Sequence, residues 1–321
     1  MGSRLTRRGM AVREFLRSNW HVVTAIVTAG AIVYAAVFLL STMPPRSITM
    51  ATGPQGGGYY EIGRQYQELL ARTGVELRLV ATAGSVENLA LLRDPHSGVN
   101  IALVQGGSVG QAAGELESLG TLFYEPLWIF HRGGLEGETL AALRGRKVSI
   151  GPVGNGSHAL LLKLLKRNDV DQNVGELLAL PPEEAADKLL AGDIDAMAML
   201  ASWDAPVVQQ LVADERVELL NLARADAYVA LYPFLSKGDS ASGRRRSRQG
   251  SPAGRRFASK ASLVVRKDLH SAIQYLLLSS AAQVHSGVSM FHRAGRFPAA
   301  EGIELPLSSE AVQFYKSGQP L

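Results

Sequence analysis

No cysteine occurs among the 321 residues. Disulfides, thiolate metal sites and cysteine nucleophiles are therefore excluded, and the absence fits an exported bacterial domain. Charge is missing from one long stretch: Trp20 to Leu40 carries none. Several catalytic signatures are lacking too. The string GPVGNG, Gly151 to Gly156, is not followed by the Lys-Ser/Thr of a P-loop, so it is no nucleotide cradle. Ser157-His158 stands in no GxSxG elbow, and adjacent helical residues point in different directions. The seven histidines are scattered, and His285 and His292 bring no nearby carboxylate cluster of the kind a metal site needs. Asp193 and Asp195 flank Ile194 at a strand start and read as a solvated turn. With no convergent acid–base pair, nothing here reads as an enzyme, and no cofactor or metal is expected.

What is present begins with an anchor signal. Trp20 to Leu40 matches the roughly 20 apolar residues that span a bilayer, and Ser41-Thr42-Met43-Pro44-Pro45 breaks the helix behind it. Before it stand Arg4, Arg7, Arg8, Arg13 and Arg17, opposed only by Glu14. Positive charge stays inside, so residues 1–19 form a cytoplasmic basic arm, 20–43 a transmembrane anchor, and everything after Pro45 lies outside the cytoplasmic membrane. A cleaved signal peptide is the competing reading; its apolar core is normally shorter, with a small-residue cleavage site behind it. Arg7-Arg8 also raises a twin-arginine signal, which the surrounding residues support little.

The net charge of +4 is misleading. The basic arm holds five Arg and one Glu, and residues 238–257 hold six Arg and one Asp. Without these segments 22 basic and 27 acidic residues remain. The body is mildly acidic, and no nucleic-acid partner is expected.

From Ser47 onward short β-branched runs alternate with amphipathic ones. Strands are predicted at Ile48–Ala51, Val75–Ala81, Asn100–Val104, Thr121–His131, Lys147–Ile150, Asp195–Leu200, Val217–Asn221 and Ala261–Arg266. Helices are predicted near Gly57–Arg72, Val86–Arg93, Ser157–Lys166, Pro182–Ala191, Trp203–Ala213 and Leu269–Val284. The alternation argues for α/β architecture with mainly parallel sheets. LWIFHRGGL and SLVVRKDL are similar strands far apart in sequence, which suits two crossings of a hinge. Lobe 1 would then be 46–128 plus 267–321, and lobe 2 would be 129–266.

Three times an apolar run breaks into a loop rich in Gly and Ser that opens a helix. These are ITMATGPQGGGYYEIG from Ile48, LRLVATAGSVENLALL from Leu77, and KVSIGPVGNGSHALLLKLL from Lys147. Helix starts leave backbone N–H groups unpaired and, helped by the helix dipole, suit a carboxylate or other anion. Three in one chain suggest a site assembled around a small acidic ligand.

These motifs, in this order, resemble the TAXI group of substrate-binding proteins of tripartite ATP-independent periplasmic (TRAP) transporters. Members tend to read TGpxGGxYYxxG, GGSVENLxLL, ALVQ and LxGkxVSvGxxGSGt. This chain reads TGPQGGGYYEIG, AGSVENLALL, IALVQGG and LRGRKVSIGPVGNGSHA. The match runs from about Ile48 to Phe234 and resumes at Ser259. It implies a two-lobed type II periplasmic binding protein fold, a ligand in the cleft between lobes and closure on binding. It also implies a small organic acid or amino acid as ligand, and TRAP membrane subunits as partners. From the loops, Thr52, Gly57, Gly58 and Tyr59 would serve the first helix start, and Gly84 and Ser85 the second. Gln105 would supply an amide, Asn155, Gly156 and Ser157 would close from lobe 2, and Trp203 would form an apolar wall.

Residues 238–257, GDSASGRRRSRQGSPAGRRF, depart from the pattern. Their Arg/Ser/Gly-rich composition without apolar periodicity is that of a disordered loop. Relatives carry an extended segment there, reading roughly VTLPRGVVDLARDLP. The two are compatible with a compensated shift of reading frame, which the adjacent frame of the gene would reveal; a natural basic loop is the alternative. Anchored relatives are also expected to continue past a YKSGxP string into further apolar sequence. The leading function is a membrane-anchored receptor that captures a small carboxylate for a transporter. The alternative is a ligand-sensing module signalling to a membrane partner.

Overall fold

The computed structural model describes residues 19–41, 43–110, 114–237, 256–287, 295–301 and 304–318. The expected basic arm therefore lies outside the described residues except for Asn19, as does the 238–257 loop except for its last two residues. The chain forms two units, Met1–Pro44 and Pro45–Leu321. In the first, α1 (Trp20–Ser41) is a helix of 22 residues. Among the described residues no helix is long and apolar enough to cross a membrane.

The second unit opens with β1 (Ser47–Ala51), α2 (Gly58–Ala71), β2 (Glu76–Val80), α3 (Ser85–Arg93) and β3 (Ile101–Gln105). β1 pairs in parallel with both β2 and β3, as helical crossovers require. The long β4 (Leu116–His131) follows, then β5 (Lys147–Ser149), α4 (Gly156–Arg167), β6 (Glu176–Leu178), α5 (Pro182–Ala191) and β7 (Ala196–Leu200). After these come α6 (Pro206–Ala213), β8 (Glu218–Leu219), α7 (Ala225–Leu231) and β9 (Leu235–Lys237). β10 (Phe257–Arg266), α8 (Ser271–His285) and α9 (Ser309–Ser317) complete the elements. The sheet runs β2-β1-β3-β10-β4-β7-β5-β6.

β4 joins the two halves of that sheet. From Leu116 to Pro126 it pairs antiparallel with β10; from Leu127 to His131 it pairs antiparallel with β7. Pro126, which cannot donate to a ladder, stands at the change of partner. The parallel pairing expected from the alternation holds within each half. It gives way to antiparallel pairing at the centre, because the two longest strands run in opposite directions between β3 and β7. β10 also pairs with β3 over Ala261–Val265, while Phe257 at its start packs into the core beside α4.

Each half has its own apolar core. In the first, Met50, Leu77 and Leu103 of the strands meet Tyr66 and Leu70 of α2 and Ile273 and Leu277 of α8. In the second, α4 turns Leu160, Leu161, Leu164 and Leu165 onto the sheet, all fully buried. Burying each such leucine is worth about 1.5–3 kcal/mol. On the opposite face α5 and α6 cover Trp128 and Phe130. α5 shows why local chemistry decides boundaries: proline stands at its first position, and Gly192 ends it at φ 88°.

Candidate functional site: three helix starts that meet

Turns leave the carboxyl ends of β1, β2 and β5 and open α2, α3 and α4, the position where ligands bind in open α/β sheets. Each helix start has its own device. Asn155 caps α4, its Oδ1 accepting from the Ser157 N–H at 2.8 Å. Gly57 precedes α2 in extended conformation. Gly84 precedes α3 at φ 135°, a conformation that glycine alone adopts freely.

The second and third turns touch across the two halves. The Val86 N–H donates to the Gly154 carbonyl at 3.2 Å. A Cβ on Gly84 would lie 3.1 Å from Asn155 Cα. Gly156 packs directly against the Gln105 side chain, so that a Cβ there would lie 2.8 Å from Gln105 Cβ. Glycine at both places lets the turns approach.

Behind the turns lies a buried polar network. Gln105, at the end of β3, donates its backbone N–H to Ser85 Oγ at 2.9 Å. Its side-chain Nε2 donates to Glu125 Oε2 at 2.6 Å, and the Tyr59 hydroxyl donates to the same oxygen at 2.9 Å. Glu125 is 7% exposed. Burial pushes its carboxyl up to about 7, against the opposing effect of the Gln105 and Tyr59 hydrogen bonds. Burial, and then the charge of Glu125, holds the Tyr59 hydroxyl well above the usual phenol range. Among the described residues Gln105 Oε1 is buried without a hydrogen-bond partner, an arrangement that costs about 1–3 kcal/mol.

A second network fixes the turns to one another. Asn88 is fully buried in α3. Its Nδ2 donates to the Thr52 carbonyl and to the Leu103 carbonyl at 2.8 Å. Its Oδ1 accepts from the Thr82 hydroxyl at 2.5 Å, and Thr82 Oγ1 accepts from the Gly84 N–H at 3.2 Å. One amide thus ties the ends of β1, β2 and β3 together.

The expected site residues divide accordingly. Tyr59, Gly84, Ser85, Gln105, Asn155 and Gly156 come together. Gly57 and Gly58 stand at the start of α2, immediately before Tyr59. Thr52 is fully buried, its hydroxyl donating to the Val80 carbonyl at 3.1 Å. Ser157 Oγ accepts from the Leu200 N–H at 3.2 Å, tying α4 to β7. Ser85 does not cap α3; its hydroxyl serves Gln105 instead. Trp203 packs against Trp128 with ring centroids 5.8 Å apart, in the cluster under α5 and α6 rather than among the turns. Glu125 and Asn88 were not singled out from the sequence. Glu125 had one signal, a lone acid inside the apolar run Thr121–His131. A cavity of about 10 Å³ lined by Gln105, Phe234, Lys260 and Glu304 lies beside β3. It has room for about one water and none for a solute.

Residues 50–317 match the NMT1-like family. The chain belongs to that family. Its solute binders have a type II periplasmic-binding-like α/β fold, the architecture found here. Among solved structures, this NMT1-like chain is similar to a protein of Bordetella bronchiseptica RB50 at 13% identity and TM-score 0.50, over 75% of this chain and 73% of that one. It is also similar to the periplasmic aliphatic sulphonate binding protein SsuA of Escherichia coli, at 17% identity and TM-score 0.47 over 75% and 73% of the two chains. The alkanesulfonate-binding protein SsuA of Xanthomonas axonopodis pv. citri bound to MOPS matches at 18% identity and TM-score 0.47, again over 75% and 73%. An identity as low as that to the Bordetella bronchiseptica protein speaks to the fold alone and leaves the ligand open.

Proposed function

We propose that this NMT1-like solute-binding protein is a membrane-anchored extracytoplasmic receptor of the TAXI kind. It captures a small carboxylate or amino acid and hands it to a TRAP-type transporter. The observation that carries the reading is the meeting of helix starts from both halves of the sheet, with the Gln105 amide among them. Several converging N–H dipoles favour an anion where one would not suffice: a single exposed helix start gains only about 0.3–1 kcal/mol. The TAXI assignment rests on the order of the TGPQGGGYYEIG, AGSVENLALL and ALVQ strings. The anchor rests on the uncharged sequence Trp20 to Leu40 and the arginines before it. Opening and closing of the two halves about the β4–β10 pair is the motion the reading requires, with lobes drawn near the boundaries set out above.

Thermal unfolding of the full chain in mild detergent, against a panel of amino acids and dicarboxylates, tests this. A ligand at 100 times its Kd adds about 2.7 kcal/mol, which raises Tm by roughly 5–10 °C in a domain of this size. No shift with any acid, on protein shown folded by circular dichroism, overturns the receptor reading.

A further inference from the structure

Glu125 has no place in a site built only to hold an anion. It stands one residue before the point at which β4 changes partner from β10 to β7, where the two halves of the sheet join. Its Oε2 takes both the Tyr59 hydroxyl and the Gln105 Nε2 hydrogen bonds. That interaction sets the orientation of the Gln105 amide and turns Oε1 toward Gly156, the first residue of α4. Gln105 is 4% exposed, and its Oε1 has no donor among the described residues. One small buried region therefore holds two side-chain oxygens able to accept, beside helix starts that offer N–H groups. The helix starts call for negative charge; the two side-chain oxygens call for a donor, best a positive one.

We propose that Glu125 and Gln105 form an ammonium-recognising subsite, so that the ligand is an amino acid held by its carboxylate at the helix starts and by its amino group at these two residues. The proposal rests on the receptor reading and narrows it. A second carboxylate in this place would meet Gln105 Oε1 and an acidic side chain instead of donors. The ammonium group satisfies Oε1 and pairs with the ionised form of Glu125.

That pairing has a pH signature. Among the described residues the titratable group facing Glu125 is Tyr59 of α2; the neighbouring strands present Gln105 from β3 and Ser259 from β10, neither of which titrates. Glu125 titrates at about 7, so it is mostly protonated at pH 6 and mostly ionised at pH 8. An ammonium ligand binds the ionised form and releases a proton on binding. Its affinity then rises about tenfold from pH 6 to pH 8. A ligand needing the protonated acid as a donor shows the opposite slope.

The test is calorimetric titration of the full chain in mild detergent with matched pairs, L-glutamate against 2-oxoglutarate and L-alanine against pyruvate. In at least one pair the amino acid is expected to bind tenfold or more tightly than its oxo acid, with affinity increasing toward pH 8. Glu125→Gln, shown folded by its melting curve, is expected to bring the amino acid and its oxo acid to similar affinities and to remove the pH slope. Equal or tighter binding of the oxo acids by the unmodified chain overturns the amine assignment alone. A preference that survives Glu125→Gln overturns it too. Binding of no acid overturns the receptor reading and this inference with it. The comparison within the unmodified chain stands whether or not the variant folds.

Discussion

Replacing Gly156 with valine is expected to weaken ligand binding by roughly 5- to 150-fold while leaving the melting temperature of the free chain almost unchanged. The first residue of α4 comes from the second half of the sheet and rests on Gln105 from the first. Its missing side chain is the space that Gln105 occupies: a Cβ would stand 2.8 Å from Gln105 Cβ and 3.1 Å from Cδ. Neither atom can retreat cheaply, because the Gln105 backbone is bonded to Ser85 and its amide to Glu125. Overfilling a packed contact costs about 1–3 kcal/mol, which is the stated range in affinity. The cost falls on the arrangement in which the halves meet, and a free chain that opens, as the proposed receptor requires, avoids it. Titration calorimetry with the best acid from the melting screen, beside melting curves of free variant and parent, separates the two effects. Unchanged affinity in Gly156→Val shows that the contact plays no part in binding.

Asn88→Ala has the larger effect on stability. Asn88 is fully buried and serves the Thr52 carbonyl, the Leu103 carbonyl and the Thr82 hydroxyl. Truncation removes all three bonds in a region closed to solvent, although the Thr82 hydroxyl, 3.4 Å from the Thr52 carbonyl, can still donate to it. At about 1–3 kcal/mol for each buried group left unpaired, with some relaxation, the loss is roughly 3–5 kcal/mol. A domain of this size melts roughly 6–20 °C lower after such a loss. Because the amide ties three strand ends to α3, the variant should also bind ligand poorly at temperatures where it remains folded. A melting curve within 2 °C or so of the parent would contradict the role assigned to this amide.

Asn88 also shows how far the sequence can be read. The string SVENL marked a helix start, but its asparagine reads as an exposed helical residue until β1 and β3 close over it. Glu125 is the stronger case. A single acid in TLFYEPLWIF looks like a solvent-facing residue of an edge strand; only the pairing of β4 with β10 puts it inside. By contrast, Pro182 to Ala191 was legible to the residue, because proline, two glutamates and the glycine after it are local signals that need no partner. The start of β4 was not legible. Gly120, at φ 121°, interrupts the apolar pattern, so the expected strand began at Thr121 while the observed one begins at Leu116. The pairing of β10 with β4 also slips at two places, between Ala261 and Ser262 and between Leu263 and Val264. α9 carries clear end signals, with Ser308 accepting from the Ala311 N–H and Gly318 in the left-handed region, but its apolar stripe is too short to announce a helix. Trp203 packs at a tilt of 44° against Trp128, whose Nε1 donates to the Ala201 carbonyl at 2.9 Å, a contact that no local pattern announces.

The absence of cysteine allows a direct look at closure. Cysteines placed at Glu68 on α2 and Glu183 on α5, both exposed, would be the only thiols in the chain, and spin labels there report the separation of the two halves. With the best-binding acid at saturation, the distance distribution measured by pulsed electron resonance is predicted to narrow and shift to shorter separations, with Gly156→Val remaining at the longer ones. A distribution that no bound acid alters would contradict a receptor that works by closing around its ligand.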